Sequence, residues 1–408
     1  MCTCPECVDP SSRQKYFSTV DIPHSISAHE APSEQPGTLT LKWQNDLTGY
    51  DPHHTTTLPL DAIHALLSHG RSETHAPLPD RTIWDAADFT HDNPDIDYAA
   101  YMSSDTTLHR TLHQLHTHGL AFLTHVPDSA TSVATIAQRI GPLKNTFYGS
   151  TWDVRSVPQA TNVAYTAQDL GFHMDLMYMK QPPHLQLLHC IRSSSHGGAS
   201  LFTDAYRAIR QLFRLRDPAL FSALAALPVN FHYDHLDHGH YYHQSRTVIE
   251  LPPPVLHSLE TLPDAAAVEA FFDPARWPSV LAAIENASWA PPFQAPFSLP
   301  HPDLIAASPD DREALPTSLN QSVRLWHRAA AAFNASIQQE EAIYERMMRP
   351  GECVIFDNRR VLHARRAFDV GDVGRERWLR GAYVDRDPFV SKLKVLQHQF
   401  GDEGRRGM

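Results

Sequence analysis

Residues 171–192, GFHMDLMYMKQPPHLQLLHCIR, place a histidine and an aspartate two apart in an apolar run, then a proline break, then a second apolar stretch. In an extended strand residues i and i+2 point to one face, so His173 and Asp175 are expected to converge while Phe172, Met174 and Leu176 turn the other way. An imidazole and a carboxylate side by side can hold a divalent metal or simply hydrogen-bond to each other, and the pair leaves both open. The run LQLLHCIR (185–192) reads as a strand, and strand signals recur at LAFLTHV (120–126), NVAYT (162–166) and ASLFTD (199–204). They return at GECVIFDN (351–358), RVLHARRAF (360–368) and RWLRGAYVD (377–385). Many short strands with few helices in the core predict a mainly β fold, a sandwich or jelly roll and not a βαβ fold. No GxGxxG or P-loop motif is present.

Around this core the period changes to helical at DTTLHRTLHQLHTHG (105–119), AIRQLFRLRDPALFSALAAL (208–227) and a long stretch over 322–348. FHYDHLDHGHYYHQ (231–244) predicts a hairpin, and the Pro- and Asp-rich stretch 252–318 predicts loops or an insertion. Three regions are expected: a small N-terminal domain at 1–70, a polar linker at 71–83 and one large domain at 84–408.

The formal net charge of -12 over 408 residues argues against a nucleic-acid binder, and no apolar run is long enough to span a bilayer. The first residues carry no apolar or Arg-rich leader signal, so a cytoplasmic protein is expected. Of the five cysteines, Cys2, Cys4 and Cys7 crowd the N-terminus, while Cys190 and Cys353 sit alone in apolar stretches and read as buried small hydrophobes. This is no disulfide framework, and clustered thiols in a reducing compartment more often serve a metal.

With 27 histidines in the chain, a metal site must rest on spacing. His363, in FDNRRVLHARRAF (356–368), is the candidate third ligand. Two histidines and one carboxylate on one face form the facial triad of non-haem Fe(II) oxygenases, although zinc can take the same atoms. Beyond His363 the stretch 369–376 reads as a turn joining antiparallel strands, which would set Arg377 on the strand beside His363. A guanidinium there can grip a carboxylate through two parallel hydrogen bonds, as a 2-oxoglutarate cosubstrate requires.

The stretch 147–206, with FDNRRVLHARRAF and LRGAYVDRD (379–387), resembles the gamma-butyrobetaine and trimethyllysine dioxygenases of the taurine dioxygenase-like oxygenases. The resemblance implies a double-stranded β-helix (jelly roll) core with flanking helices and a small N-terminal zinc-binding α+β domain. It assigns His173, Asp175 and His363 to Fe(II), Arg377 to the 2-oxoglutarate carboxylate and Ser200 to the lining of the cosubstrate site. For the substrate it implies an aromatic cage of Tyr148, Trp152, Tyr165 and Tyr383 and a carboxylate contact at Asn162. Two positions depart from the family pattern: Leu176 stands where a tyrosine is expected, and Glu285, in AIENASW (283–289), aligns with an asparagine.

The same resemblance closes a Cys3His zinc site with Cys2, Cys4, Cys7 and a histidine of LKWQNDLTGYDPHHTTTLPLDAI (41–63), where His54 fits the spacing best and His53 competes. Exposed thiols on a frayed terminus are the alternative. The family carries further residues ahead of its cysteines, so either the start codon is misassigned or the small domain is expected to lack its first strand. The expected activity is hydroxylation of an unactivated C–H of a small cationic metabolite, gamma-butyrobetaine to L-carnitine first, and trimethyllysine or a specialised amine or betaine as the alternative. O2 and a small molecule are the expected partners, with ascorbate as reductant, neither nucleic acid nor membrane, and homodimerisation open. A non-catalytic metal- or metabolite-binding sensor is the rival from another class.

Overall fold

A computed structural model describes residues 2, 4–33, 35–69, 78–155, 167–194, 196–298, 309–369 and 377–401. The chain divides into two compact units, Met1–Leu78 and Pro79–Met408. In the first, strands β1 (Ser27–Ala31), β2 (Thr38–Gln44) and β3 (Thr55–Pro59) form an antiparallel sheet, followed by the helix Leu60–His69. Trp43 donates its indole N–H to Thr56 Oγ1 at 2.8 Å, fastening β2 to β3.

The second unit contains β4 (Ile96–Asp97), β5 (Leu120–Thr124), β6 (Thr151–Val154), β7 (Leu170–His173), β8 (Leu185–Arg192) and β9 (Ser200–Asp204). Next come β10 (Val229–His235), β11 (His240–Arg246), β12 (Ile249–Glu250), β13 (Asn286–Ala287) and β14 (Gln294–Ala295). The last are β15 (Tyr344–Arg346), β16 (Glu352–Asp357), β17 (Val361–Arg365) and β18 (Trp378–Val384). A six-stranded sheet in the order β4-β5-β16-β8-β18-β6 and a four-stranded sheet in the order β15-β9-β17-β7 form the core. The run LQLLHCIR is β8, buried between β16 and β18 as its unbroken apolar character requires. Cys190 and Cys353 are buried within this sheet. The expected strand 162–166 lies outside the described residues.

A buried ion pair fixes how the chain wraps this core. Arg360 donates to Asp204 Oδ1 and Oδ2 at 3.1 and 2.8 Å and to the carbonyls of Thr117 and Thr82, with both charged side chains almost completely excluded from water. The same contacts take Thr82 into the large unit, and Arg81 bonds the carbonyl of Ile284 at 2.6 Å, so residues 79–83 are packed and not a free linker. Residues 71–77 lie outside the described ones.

Two expectations along the chain are corrected. The stretch 252–318 contains the helices Pro253–Glu260, Ala265–Phe271 and Trp277–Ala283. Pro253, Pro254 and Pro278 occupy first-turn positions and Asp264 caps a helix N-terminus, roles that the composition alone reads as loop. The long helix spans Pro309–Ile337, packs on Ala205–Arg214 and Pro218–Ala226, and ends before β15, whose residues pair with β9 instead of extending it. The histidine- and tyrosine-rich hairpin forms as β10 and β11. Among the described residues no helix is long and apolar enough to cross a membrane.

Candidate active site

β17 lies between β9 and β7 in the smaller sheet, and its register sets His363 directly opposite His173. Strand β7 ends at His173, so Asp175 stands in the turn that follows and not two places along an extended strand. What turns it back is Asn358, which is completely buried: its Oδ1 accepts the Asp175 N–H at 2.7 Å and its Nδ2 donates to the carbonyls of Asp175 and Pro183 at 3.0 and 3.1 Å. The turn also redirects Leu176, which lines the same cavity instead of facing away from it.

His173 Nε2 lies 3.3 Å and His363 Nε2 3.8 Å from Asp175 Oδ1. One donor atom from each of the three side chains falls within 4.8 Å of the others. His173 donates its Nδ1–H to the Gly171 carbonyl at 2.9 Å, which leaves Nε2 with a free lone pair toward the carboxylate. Tyr383 donates its hydroxyl to Asp175 Oδ2 at 2.7 Å, so Oδ1 is the oxygen left to face the imidazoles. Burial would raise the Asp175 carboxyl, but His173, His363 and the Tyr383 hydroxyl hold it well below the usual range. Burial and the neighbouring His173 push His363 down to about 3, keeping its ring neutral. Two imidazole nitrogens and one carboxylate oxygen converging from one side fit a divalent iron and leave the cavity side clear.

These residues face a cavity between the two sheets. At one end stand Arg377, Arg365 and Ser200. Arg377 immediately precedes β18, which pairs with β8 and β6 and not with β17, so it reaches the cavity from the sheet opposite His363. The expected turn over 370–376 lies outside the described residues. Among the described residues no carboxylate pairs with Arg377, and burial, then the nearby Arg365, push its guanidinium down to about 10. Gly198, at φ +81°, leaves this end open: a Cβ there would lie 2.7 Å from Ser194 Oγ and 3.3 Å from Arg377 Nε. Arg366, by contrast, is exposed and pairs with Glu345 at 3.2 Å.

At the other end the wall is aromatic: Tyr148, Trp152, Tyr178, Phe293 and Tyr383. Trp152 stacks on Tyr383 with ring centroids 4.0 Å apart, which Gly381 permits, because a Cβ at that position would come within 2.4 Å of the indole. Glu285 is exposed and does not line the cavity; the backbone turns its side chain to solvent as it enters β13. Its neighbour Asn286 faces Glu250, at 2.8 Å, and not the cavity. Asn162 and Tyr165 lie outside the described residues. Asn358, Tyr178, Phe293 and Gln186, the last a buried carboxamide lining the cavity, are site residues that the motif reading did not single out.

In the N-terminal unit Cys2, Cys4 and Cys7 each place Sγ 3.3–3.5 Å from His54 Nε2. Asp46 Oδ2 accepts from His54 Nδ1 at 2.5 Å, fixing the ring. Although burial alone would lower it, hydrogen bonds with Asp46, Cys2 and Cys4 raise His54 to about 9. His53 is exposed beside Lys42, so His54 is the histidine turned to the thiols.

Residues 75–383 match the family model "Taurine catabolism dioxygenase TauD, TfdA family", and the chain belongs to that family. It is a 2-oxoglutarate-dependent dioxygenase. Its relatives include "Dioxygenase str8" of Strobilurus tenacellus, 32% identical, with the alignment covering 97% of this chain and 83% of that one. Gamma-butyrobetaine dioxygenase of Pseudomonas sp. (strain AK-1) is 28% identical over 97% of this chain and 88% of its own. Trimethyllysine dioxygenase of Meyerozyma guilliermondii is 23% identical, again over 97% and 88%.

Proposed function

We propose that the chain hydroxylates an unactivated C–H of a small cationic metabolite, with Fe(II) held by His173, Asp175 and His363 and 2-oxoglutarate anchored by Arg377 beside Ser200. The observation that carries this is the joint placement of the three converging ligands, the buried guanidinium and the aromatic wall on one cavity. When bound, the iron supplies the oxidising chemistry that joins one oxygen of O2 to the substrate as the cosubstrate becomes succinate and CO2. The chain's own contributions are positional. Tyr383 holds one carboxylate oxygen so that the other faces the imidazoles, and Arg377, buried without a described carboxylate, is a fitting partner for a carboxylate of the cosubstrate.

Tyr148, Trp152 and Tyr383 suit a methylated ammonium, because such cations lack N–H donors and are stabilised over π faces. The relatives named for gamma-butyrobetaine and trimethyllysine support that class, and gamma-butyrobetaine, giving L-carnitine, is the first compound to test. Leu176, apolar and in the cavity where the resemblance expects a tyrosine, weakens the cage and favours a second reading: trimethyllysine or another amine or betaine. Reactions with gamma-butyrobetaine and trimethyllysine, run side by side and read by mass spectrometry, decide between them. One added oxygen on gamma-butyrobetaine, lost in Trp152→Ala, is the expected result. No product from either compound, beside vigorous substrate-free 2-oxoglutarate consumption, would exclude both named substrates.

Ascorbate is the proposed reductant and the cytosol, suited to free thiols, the proposed setting. For Cys2, Cys4, Cys7 and His54 we propose one structural zinc, since a cation among three sulfurs and Nε2 would replace the proton that those groups draw onto His54. Elemental analysis should find one zinc per chain in wild type and none in Cys4→Ser, with lower thermal stability. Equal zinc in both would refute the site.

A further inference from the structure

The turn that carries Asp175 is gripped from both sides. Asn358 holds residue 175 itself, as described. On the other side Arg246, at the end of β11, donates Nε to the Met177 carbonyl at 3.1 Å and Nη2 to the carbonyls of Met179 and, at 2.7 Å, Lys180. Between these two grips sits Leu176, a non-glycine residue at φ +62°. A left-handed leucine is a strained conformation that persists only where its surroundings fix it.

Arg246 is itself held. Its Nη1 lies 3.8 Å from Glu250 Oε1, an oxygen that also accepts from Arg359 Nη2 at 2.5 Å and from Ser288 Oγ at 3.0 Å. Asn286 donates to the other oxygen at 2.8 Å. Arg359 adjoins Asn358 in sequence, and its carbonyl accepts the Ala287 N–H at 2.8 Å. The Met174 N–H donates to the Trp289 carbonyl at 2.7 Å. Both grips thus belong to one network, in which the segment from β11 to β13 braces the ligand turn. Backbone carbonyls with three fixed donors in a rigid fork cannot swing far, whereas an ammonium would offer only a point contact.

We propose that Arg246, set by Glu250 and Arg359, is a positioning residue that holds the Asp175 turn in its metal-binding conformation. The inference rests on the assignment of the metal site, and its test separates the two. Anaerobic titration with Fe(II) alone, followed by intrinsic tryptophan fluorescence, reads affinity without turnover, and the Asp175→Ala protein supplies the background from other sites. Outer groups that orient metal ligands typically contribute 10–100-fold in affinity. Arg246→Ala is expected to weaken Fe(II) binding about tenfold or more, and Arg246→Lys, which retains the ion pair with Glu250, to fall in between.

Arg81→Ala controls for plain destabilisation, because Arg81 braces the same segment at Ile284 without touching the turn. It should lower the melting temperature and leave Fe(II) affinity within about twofold of wild type. Wild-type affinity in Arg246→Lys together with Arg246→Ala would overturn the proposal, as would equal weakening in Arg81→Ala. If Arg246→Ala fails to fold, Arg246→Lys against Arg81→Ala decides in the same way. A wild-type protein with no more Fe(II) binding than Asp175→Ala would overturn the metal site as well.

Discussion

Asp175 turns one oxygen to the imidazoles because Tyr383 occupies the other at 2.7 Å. Tyr383→Phe removes that hydroxyl and keeps the ring stacked on Trp152. It is expected to weaken Fe(II) binding about tenfold, measured by anaerobic titration, with a melting temperature near wild type. Unaltered affinity would make the hydroxyl dispensable. The converging triad of His173, Asp175 and His363 was legible through the family resemblance, since the spacing of the first two alone left a plain hydrogen bond open. Asn358 and Arg246 were not, since they act on main-chain atoms distant in the chain, and such contacts leave no periodic trace. Glu285 illustrates a different limit: alignment supplied a position, but the local backbone decides which way the side chain faces.

Strands β18 and β6 set the aromatic wall through a missing side chain. Gly381→Ala would place a methyl 2.4 Å from the Trp152 indole and push that ring off Tyr383. The expected outcome is a loss of roughly 1–3 kcal/mol in denaturant unfolding, with substrate hydroxylation falling more than substrate-free 2-oxoglutarate consumption. Equal loss of both activities would count against a substrate-side wall. At this scale the sequence identified β8, β16, β17 and β18 well, because each is a buried run of strand-forming residues. It misplaced the partner of β18: a turn signal reports that two strands follow one another, and sheet closure sends the second strand into the other sheet. The helices within 252–318 were hidden for a related reason, as proline and aspartate start helices as readily as they make loops.

Across the large unit, charge burial makes stability depend on a few groups. Arg360→Ala would leave Asp204 buried without its partner and is expected to cost about 3–5 kcal/mol, read as a lower urea midpoint. Acid should destabilise the fold through its histidines. Burial holds His116, His118 and His189 down to about 4, against an ordinary value of 6.5. Between those values the unfolded chain binds more protons than the folded one. Their contribution is therefore complete above pH 6.5 and lost as pH falls toward 4. Urea midpoints measured across that range should fall with acid, and fall less steeply in His189→Leu. A midpoint indifferent to pH below 6.5 would show these rings to be accessible to protons in the folded state.

The central claim is an iron- and 2-oxoglutarate-dependent oxygenase built on His173, Asp175 and His363, and succinate formation tests it most directly. Wild type and Asp175→Ala, each zinc-loaded and folded by circular dichroism, would be incubated with 2-oxoglutarate, O2 and ascorbate, with and without Fe(II). Succinate is expected from wild type only when Fe(II) is present, and from Asp175→Ala at no more than the background without protein. Succinate formation by Asp175→Ala at the wild-type rate would contradict the account.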